Sequence, residues 1–152
     1  EEELIRQHEQ MEQQLQMAAE FQRAILPEVV DLPYLNMTIT YEPYAEVSGD
    51  VYDFLQNREG ELAIFLGDAT GHGIAAALMT MMAHIGLDGI RRNLATDESL
   101  RTLNKLMAFR KTGRSVSAVF FRITPSGYLT VTPCWSSFLN NHTGKWRTPC
   151  SV

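Results

Sequence analysis

The sequence has little of what marks a secreted or membrane protein. Its 152 residues include two cysteines, Cys134 and Cys150, which are too few for a disulfide framework and lie outside any Cys-x-x-Cys spacing. No apolar run approaches the roughly 20 residues that a transmembrane helix needs. The first residues are acidic, whereas a signal peptide begins with positive charge. We therefore expect a cytoplasmic protein, or a cytoplasmic piece of a larger one, without a membrane span.

Positive charge is also scarce. Lys and Arg number 13 against 18 Asp and Glu, which gives a net charge of -5, and the basic residues do not cluster. A nucleic-acid partner is therefore not expected. The 45% hydrophobic content and the length instead indicate one globular domain with room for an appendage.

Glycine and proline are absent from residues 1–26, a polar stretch rich in Gln and Glu. Seven positions in it recur at alternating spacings of four and three: Leu4, His8, Met11, Leu15, Ala18, Gln22 and Ile25. This heptad seam predicts an amphipathic helix, and so narrow a stripe favours a coiled-coil homodimer. A single helix lying on the domain is the alternative.

One segment joins a strand to a helix through a glycine-bounded corner. An apolar run, Leu62–Leu66, predicts a buried strand, and a helix is expected from Gly73 to about Asn93. Between them lie Gly67, Asp68, Ala69, Thr70, Gly71 and His72. A carboxylate at a strand end beside a helix N-terminus suits a metal ion or a phosphate. The alternative is an ordinary turn with a capping aspartate.

A second carboxylate is expected at the same edge of the sheet. Asp50 opens a short strand, and the loop at residues 57–60 predicts a hairpin that returns as the strand ending near Asp68. Antiparallel neighbours joined in this way bring Asp50 and Asp68 together. For Asp50 and the nearby Asp53, taken singly, a solvated turn is the alternative interpretation.

The remaining elements follow from local patterns. Alternation over residues 35–44 predicts a strand with one buried face, Thr96 and Asp97 can cap a second helix, and residues 117–123 and 128–132 predict a hairpin. His84, inside the first of the two helices, has no partner at metal-ligand spacing, so we interpret it as a core or boundary residue.

Taken together, five segments resemble the SpoIIE/RsbU-like branch of the PPM-type, metal-dependent protein serine/threonine phosphatases. They are residues 19–27 (AEFQRAILP), 46–53 (EVSGDVYD), 67–77 (GDATGHGIAAA), 103–106 (LNKL) and the 117–132 hairpin. The resemblance implies an α+β fold, an antiparallel β-sandwich flanked by helices, here incomplete and preceded by the N-terminal helix. The departures are Ser48 and Val51, where the family usually has Gly and Phe.

The resemblance also implies a chemistry. Asp68 would bridge two Mn²⁺ or Mg²⁺ ions, the Ala69 carbonyl would ligate one of them, and Asp50 would be a further ligand. The ions would activate water for in-line attack on phosphoserine or phosphothreonine. Supporting positions are Gly49, Asp53, Gly67, Gly71 and His72, and for His72 a turn-stabilising role is preferred over that of a general acid.

The implied partners are a phosphorylated regulatory protein, such as an anti-sigma-factor antagonist, and an upstream sensor or receiver domain. The N-terminal helix would couple that sensor to the phosphatase domain.

After Thr132 the resemblance ends, because the family continues with a segment like Asn-Ala-Gly-His-Pro and with later metal-binding aspartates. Cys-Trp-Ser-Ser at 134–137 can be encoded by bases that give Ala-Gly-His-Pro one nucleotide later, so we hypothesise a frameshift near Thr132. The domains are then a coiled-coil or linker helix at 1–26, a partial phosphatase domain at 27–132 and a non-family tail at 133–152. Such a truncation would impair catalysis.

Two other functions remain open at this point. One is a catalytically silent signalling module that dimerises through the N-terminal helix. The other is a phosphohydrolase that acts on a small molecule.

Overall fold

A computed structural model describes residues 2–43, 45–90, 96–108 and 115–134. These residues form three helices and four strands in the order α-β-β-α-α-β-β, which confirms the α+β class. The elements are α1 (Glu2–Ile25), β1 (Asp50–Gln56), β2 (Leu62–Ala69), α2 (Ile74–Asp88), α3 (Thr96–Ala108), β3 (Val116–Ile123) and β4 (Leu129–Cys134). None of these helices is long and apolar enough to cross a bilayer.

The strands form one antiparallel sheet in the order β1-β2-β3-β4. Helices α2 and α3 cover one face of it, and the core between them is built from alternate strand residues and the inner helix faces. Phe65 and Phe120 lie at its centre with ring centroids 5.0 Å apart in a tilted arrangement. This apolar layer fixes which face of each strand points away from the helices.

The opposite face of the sheet is partly covered by residues 30–39. The alternation over residues 35–44 predicted a strand there, and this prediction is wrong, because residues 35–43 form none and Leu32 and Leu35 make only an isolated bridge. Met37 and Ile39 nevertheless pack with Phe54 and Leu62. The segment therefore covers the sheet without joining it.

The predicted N-terminal helix is present as α1, and its second half lies on the domain. Leu15, Ala18 and the buried Ala19 pack against Val47 and against Ala77 of α2. Leu4 and Met11, in the first half of the heptad seam, are 70% and 56% exposed. The part of the seam open to a second chain is therefore its first half.

Element boundaries differ from the predictions most at the ends of three elements. Helix α2 ends at Asp88 rather than near Asn93, with residues 91–95 outside the described part. Strand β2 continues through Asp68 to Ala69, and β4 continues to Cys134. Most of the predicted tail, residues 135–152, lies outside the described residues, which form a single sheet rather than a sandwich of two.

Candidate metal centre

The two carboxylates that the sequence singles out are direct partners in the sheet. Asp50 is the first residue of β1 and pairs in register with Asp68 of β2. By strand alternation both side chains belong to the face away from the helices, and both residues are exposed. The expected meeting of the two residues at one edge of the sheet is thus observed.

The pairing places two like charges side by side. Partial burial raises the pKa of Asp68 above its ordinary value, and the neighbouring Asp50 carboxylate raises that pKa further. A cation bound between the two side chains would remove this repulsion. The electrostatics of the pair therefore favour an occupant of positive charge.

Carbonyl oxygens converge on the same place around Gly49. A Cβ atom added to Gly49 would lie 2.9 Å from the Ala69 carbonyl oxygen and 3.5 Å from both Asp68 Oδ1 and the Gly71 carbonyl oxygen. The Gly49 carbonyl also accepts a hydrogen bond from the Ala69 N–H at 2.7 Å. Only glycine leaves this oxygen-lined space open, and oxygen ligands are those that Mn²⁺ and Mg²⁺ prefer.

The turn after β2 is held by hydrogen bonds and by glycine geometry. The Thr70 N–H donates to the Ser115 carbonyl at 2.8 Å, and the Ser115 N–H donates to Thr70 Oγ at 2.9 Å. Gly71 and Gly73 have positive φ angles of 92° and 73°, which few other residues adopt. The chain can therefore leave the strand and enter α2 within a few residues, with the Ala69 and Gly71 carbonyls kept near Gly49.

Other predicted positions lie around this centre in different ways. Gly67 pairs with Val51, and a Cβ there would lie 3.0 Å from the Val51 side chain and from the Phe65 ring, so its small size serves packing. His72 is exposed in the turn between β2 and α2. Neither residue adds a side-chain oxygen to the cluster.

Asp53 points away from the centre, into the core. It is fully buried, its Oδ2 lies 3.0 Å from His84 Nδ1 of α2, and its Oδ1 accepts the Phe54 N–H at 2.7 Å. His84, interpreted from sequence as a core or boundary residue, thus has a carboxylate partner. The pair ties β1, which carries Asp50, to the helix behind the sheet.

Two polar residues near the centre were not predicted to belong to it. Gln22 of α1 is buried and hydrogen-bonds the backbone of Ser48, and Ser48 in turn contacts Asp50. The sequence indicated Gln22 only as one of the seven positions of the heptad seam. The Ser-x-Asp spacing is the signal that could have revealed Ser48, because serine often bonds the backbone N–H two residues ahead.

A third such residue, Ser117 of β3, pairs in register with Asp68. The same face of β3 carries Val119, Phe121 and Ile123, so its alternation changes from apolar to polar at the row that holds the two aspartates. Within the described part of the chain, no three or more His, Cys, Asp or Glu side chains converge on one point. The oxygen atoms available to a cation are thus those of two carboxylates and of backbone carbonyls, with the Ser117 hydroxyl on the neighbouring strand.

Comparisons with known proteins show which family and which relatives the chain is similar to. A family model described as Stage II sporulation protein E (SpoIIE) matches residues 58–132. The chain is 34% identical over 71 residues to the phosphoserine phosphatase RsbP of Bacillus subtilis (strain 168), an alignment that covers 47% of this chain and 18% of RsbP.

Among solved structures, the SiaA-PP2C domain of Pseudomonas aeruginosa matches with a TM-score of 0.62 and 26% identity, over 78% of this chain and 50% of that one. The chain thus spans less than a fifth of RsbP and half of the SiaA structure.

Proposed function

We propose that this chain, which matches the SpoIIE family model over residues 58–132 and is similar to RsbP and to the SiaA-PP2C domain, belongs to the SpoIIE/RsbU-like branch of the PPM-type protein phosphatases and carries part of a metal-dependent phosphatase that hydrolyses phosphoserine or phosphothreonine in a protein. The observation that supports this proposal most is the row formed by Asp50 and Asp68, together with the carbonyl oxygens that converge beside Gly49. The metal would be Mn²⁺ or Mg²⁺.

Each residue of the centre has a distinct task in this proposal. Asp50 and Asp68 bind the cation through their carboxylates, and the Ala69 carbonyl supplies a further oxygen. Bound divalent cations lower the pKa of water and neutralise phosphate charge, so that water becomes a nucleophile toward phosphorus. The exposure of both aspartates leaves the centre open to a phosphorylated side chain of another protein.

The supporting residues act through position. Asp53, paired with His84, holds β1 against α2 and so fixes the strand on which Asp50 lies. His72 stabilises the turn after Ala69. Protonation of the departing serine oxygen by His72 is the competing assignment.

The proposal is tested by hydrolysis of p-nitrophenyl phosphate with increasing Mn²⁺. We expect activity that depends on the metal, is abolished by Asp68→Asn and is unchanged by Asp31→Asn, which alters an exposed carboxylate in the segment before the sheet. Equal loss in both variants would contradict the assignment of Asp68. Absence of turnover at every Mn²⁺ concentration would favour the silent module.

The substrate we propose is a phosphorylated regulatory protein, such as an anti-sigma-factor antagonist, in the cytoplasm. RsbP, one of the relatives, is a phosphoserine phosphatase, which supports a phosphoprotein over a small molecule. Phosphoserine peptides should therefore be hydrolysed faster than nucleotides at equal concentration. A preference for nucleotides would favour the small-molecule alternative.

We further propose that α1 couples the domain to an upstream sensor or receiver domain. The docked half of α1 reaches the centre through Gln22 and Ser48, so a shift of the helix would displace the segment that leads into Asp50. This physical connection supports a signalling role for the helix.

The second candidate function is a catalytically silent module that dimerises through α1. It is favoured by the exposure of Leu4 and Met11, two seam positions that the domain leaves uncovered. Sedimentation equilibrium of the full chain and of a Leu4→Glu, Met11→Glu double variant tests the pairing. A dimer that persists unchanged in the double variant would exclude this surface.

A further inference from the structure

Ser48, two residues before Asp50, is fixed in place by a side chain of another element. It is 5% exposed, its N–H donates to Gln22 Oε1 at 2.8 Å, and its carbonyl accepts a hydrogen bond from Gln22 Nε2 at 2.7 Å. The glutamine amide therefore binds both polar groups of the Ser48 backbone. The direction in which the Ser48 side chain leaves the backbone is set by this clamp.

The Ser48 hydroxyl contacts both the backbone and the side chain of Asp50. Its oxygen accepts the Asp50 N–H at 3.0 Å and lies 3.4 Å from Asp50 Oδ2. A hydroxyl carries one proton and two lone pairs, so it accepts from the amide and donates to the carboxylate at the same time. One oxygen atom thus restrains Asp50 at two points.

Asp50 needs such a restraint because its neighbour repels it. Its register partner is Asp68, whose carboxylate carries the same charge, and Asp50 itself is exposed. Without a hydrogen bond to hold it, the Asp50 carboxylate would turn toward water and away from the Asp68 side chain. The remaining residue of the segment, Gly49, is already fixed by the hydrogen bond from Ala69.

We propose that Ser48 is a positioning residue of this centre, whose hydroxyl holds the Asp50 carboxylate in its metal-binding orientation before the cation arrives. The inference rests on the proposed metal role of Asp50 and Asp68. It assigns a task to a side chain that the resemblance does not supply, because glycine is the usual residue at this position. A pre-oriented ligand loses less conformational freedom on binding, so the cation is held more tightly.

The experiment measures the Mn²⁺ dissociation constant of the full chain from the electron paramagnetic resonance signal of free Mn²⁺, which requires no turnover. Ser48→Ala and Ser48→Gly both remove the hydroxyl, and we expect each to weaken Mn²⁺ binding about tenfold, the lower end of what loss of an outer-shell contact costs. The matched control is Thr80→Val. Thr80 accepts a hydrogen bond from the same Gln22 amide but does not contact Asp50, so its loss should leave the dissociation constant unchanged.

Two results would overturn the inference while leaving the metal centre in place. One is a Ser48→Ala protein that binds Mn²⁺ like the wild type, and the other is a Thr80→Val protein weakened as much as Ser48→Ala, which would assign the effect to the shared network. The variant Asp68→Asn separates these results from failure of the proposed function. If the wild type and Asp68→Asn bind Mn²⁺ equally, Asp50 and Asp68 do not form a metal centre, and the role proposed for Ser48 is refuted together with the proposed function.

Discussion

Replacement of Gln22 by leucine tests the attachment of α1 to the domain most directly. The side chain makes three buried hydrogen bonds, two with the Ser48 backbone and one with Thr80 Oγ. Leucine has a similar size and a high helix propensity, so the change removes the polar contacts while the helix itself is retained. The Ser48 N–H and carbonyl would then be buried without partners.

The expected decrease in the free energy of unfolding follows from the loss of partners for those two backbone groups. An orphaned buried donor or acceptor costs about 1–3 kcal/mol, so the pair costs roughly 2–6 kcal/mol. Burial of the more apolar leucine offsets about 1–2 kcal/mol of this loss. We therefore expect the free energy of unfolding to fall by about 1–4 kcal/mol, the difference between these two contributions.

Urea denaturation followed by far-ultraviolet circular dichroism measures this difference. The control is Gln14→Leu, the same substitution at an exposed position of the same helix, which should change the free energy of unfolding by no more than about 0.5 kcal/mol. If Gln22→Leu and Gln14→Leu unfold at the same urea concentration, the Gln22 contacts do not stabilise the docked helix, and the reasoning is refuted.

Three further outcomes are expected. Asp53→Ala leaves His84 without its buried carboxylate and should lower the free energy of unfolding by about 3–5 kcal/mol. If urea denaturation shows a loss no larger than that of an exposed-site variant such as Gln14→Leu, the pairing is contradicted. Because the pKa of Asp68 is raised in the folded state, its ionisation lowers the stability of the fold as pH rises through that pKa. The metal-free Asp68→Asn variant should therefore melt at a higher temperature than the wild type at pH 7, and this difference in melting temperature should disappear in acid. A difference that does not change with pH would refute this. Gly49→Ala places a Cβ 2.9 Å from the Ala69 carbonyl and should weaken Mn²⁺ binding about tenfold or more, whereas Gly89→Ala, with ordinary contacts, should bind normally in the same titration.

The local patterns of the sequence were sufficient for the hairpin and for the pairing of Asp50 with Asp68. A four-residue loop between two apolar runs leaves little choice of register, because a slip by one residue would expose the apolar face of β1 and β2. The position of the two carboxylates in one row follows from that register. This part of the centre is thus determined by residues within about twenty positions of one another.

The wrong prediction of a strand over residues 35–44 shows what an alternation of apolar and polar residues does and does not specify. Met37 and Ile39 alternate with polar residues because one side of the segment packs on the sheet, and that packing is observed. Alternation reports that a chain has one buried side, and it carries no information on whether the backbone pairs with a neighbour. The segment that covers a sheet and the strand that extends it have the same pattern.

Contacts between distant parts of the chain were beyond prediction for a different reason. Gln22 and Thr80 are separated by 58 residues, and nothing near either one indicates the other. A polar residue in an apolar seam weakens a coiled coil, yet the same residue stabilises a docked helix if the domain presents a backbone donor and acceptor to it. The identity of Gln22 therefore became meaningful only when Ser48 was found opposite it, and the role inferred for Ser48 depends on that same non-local contact.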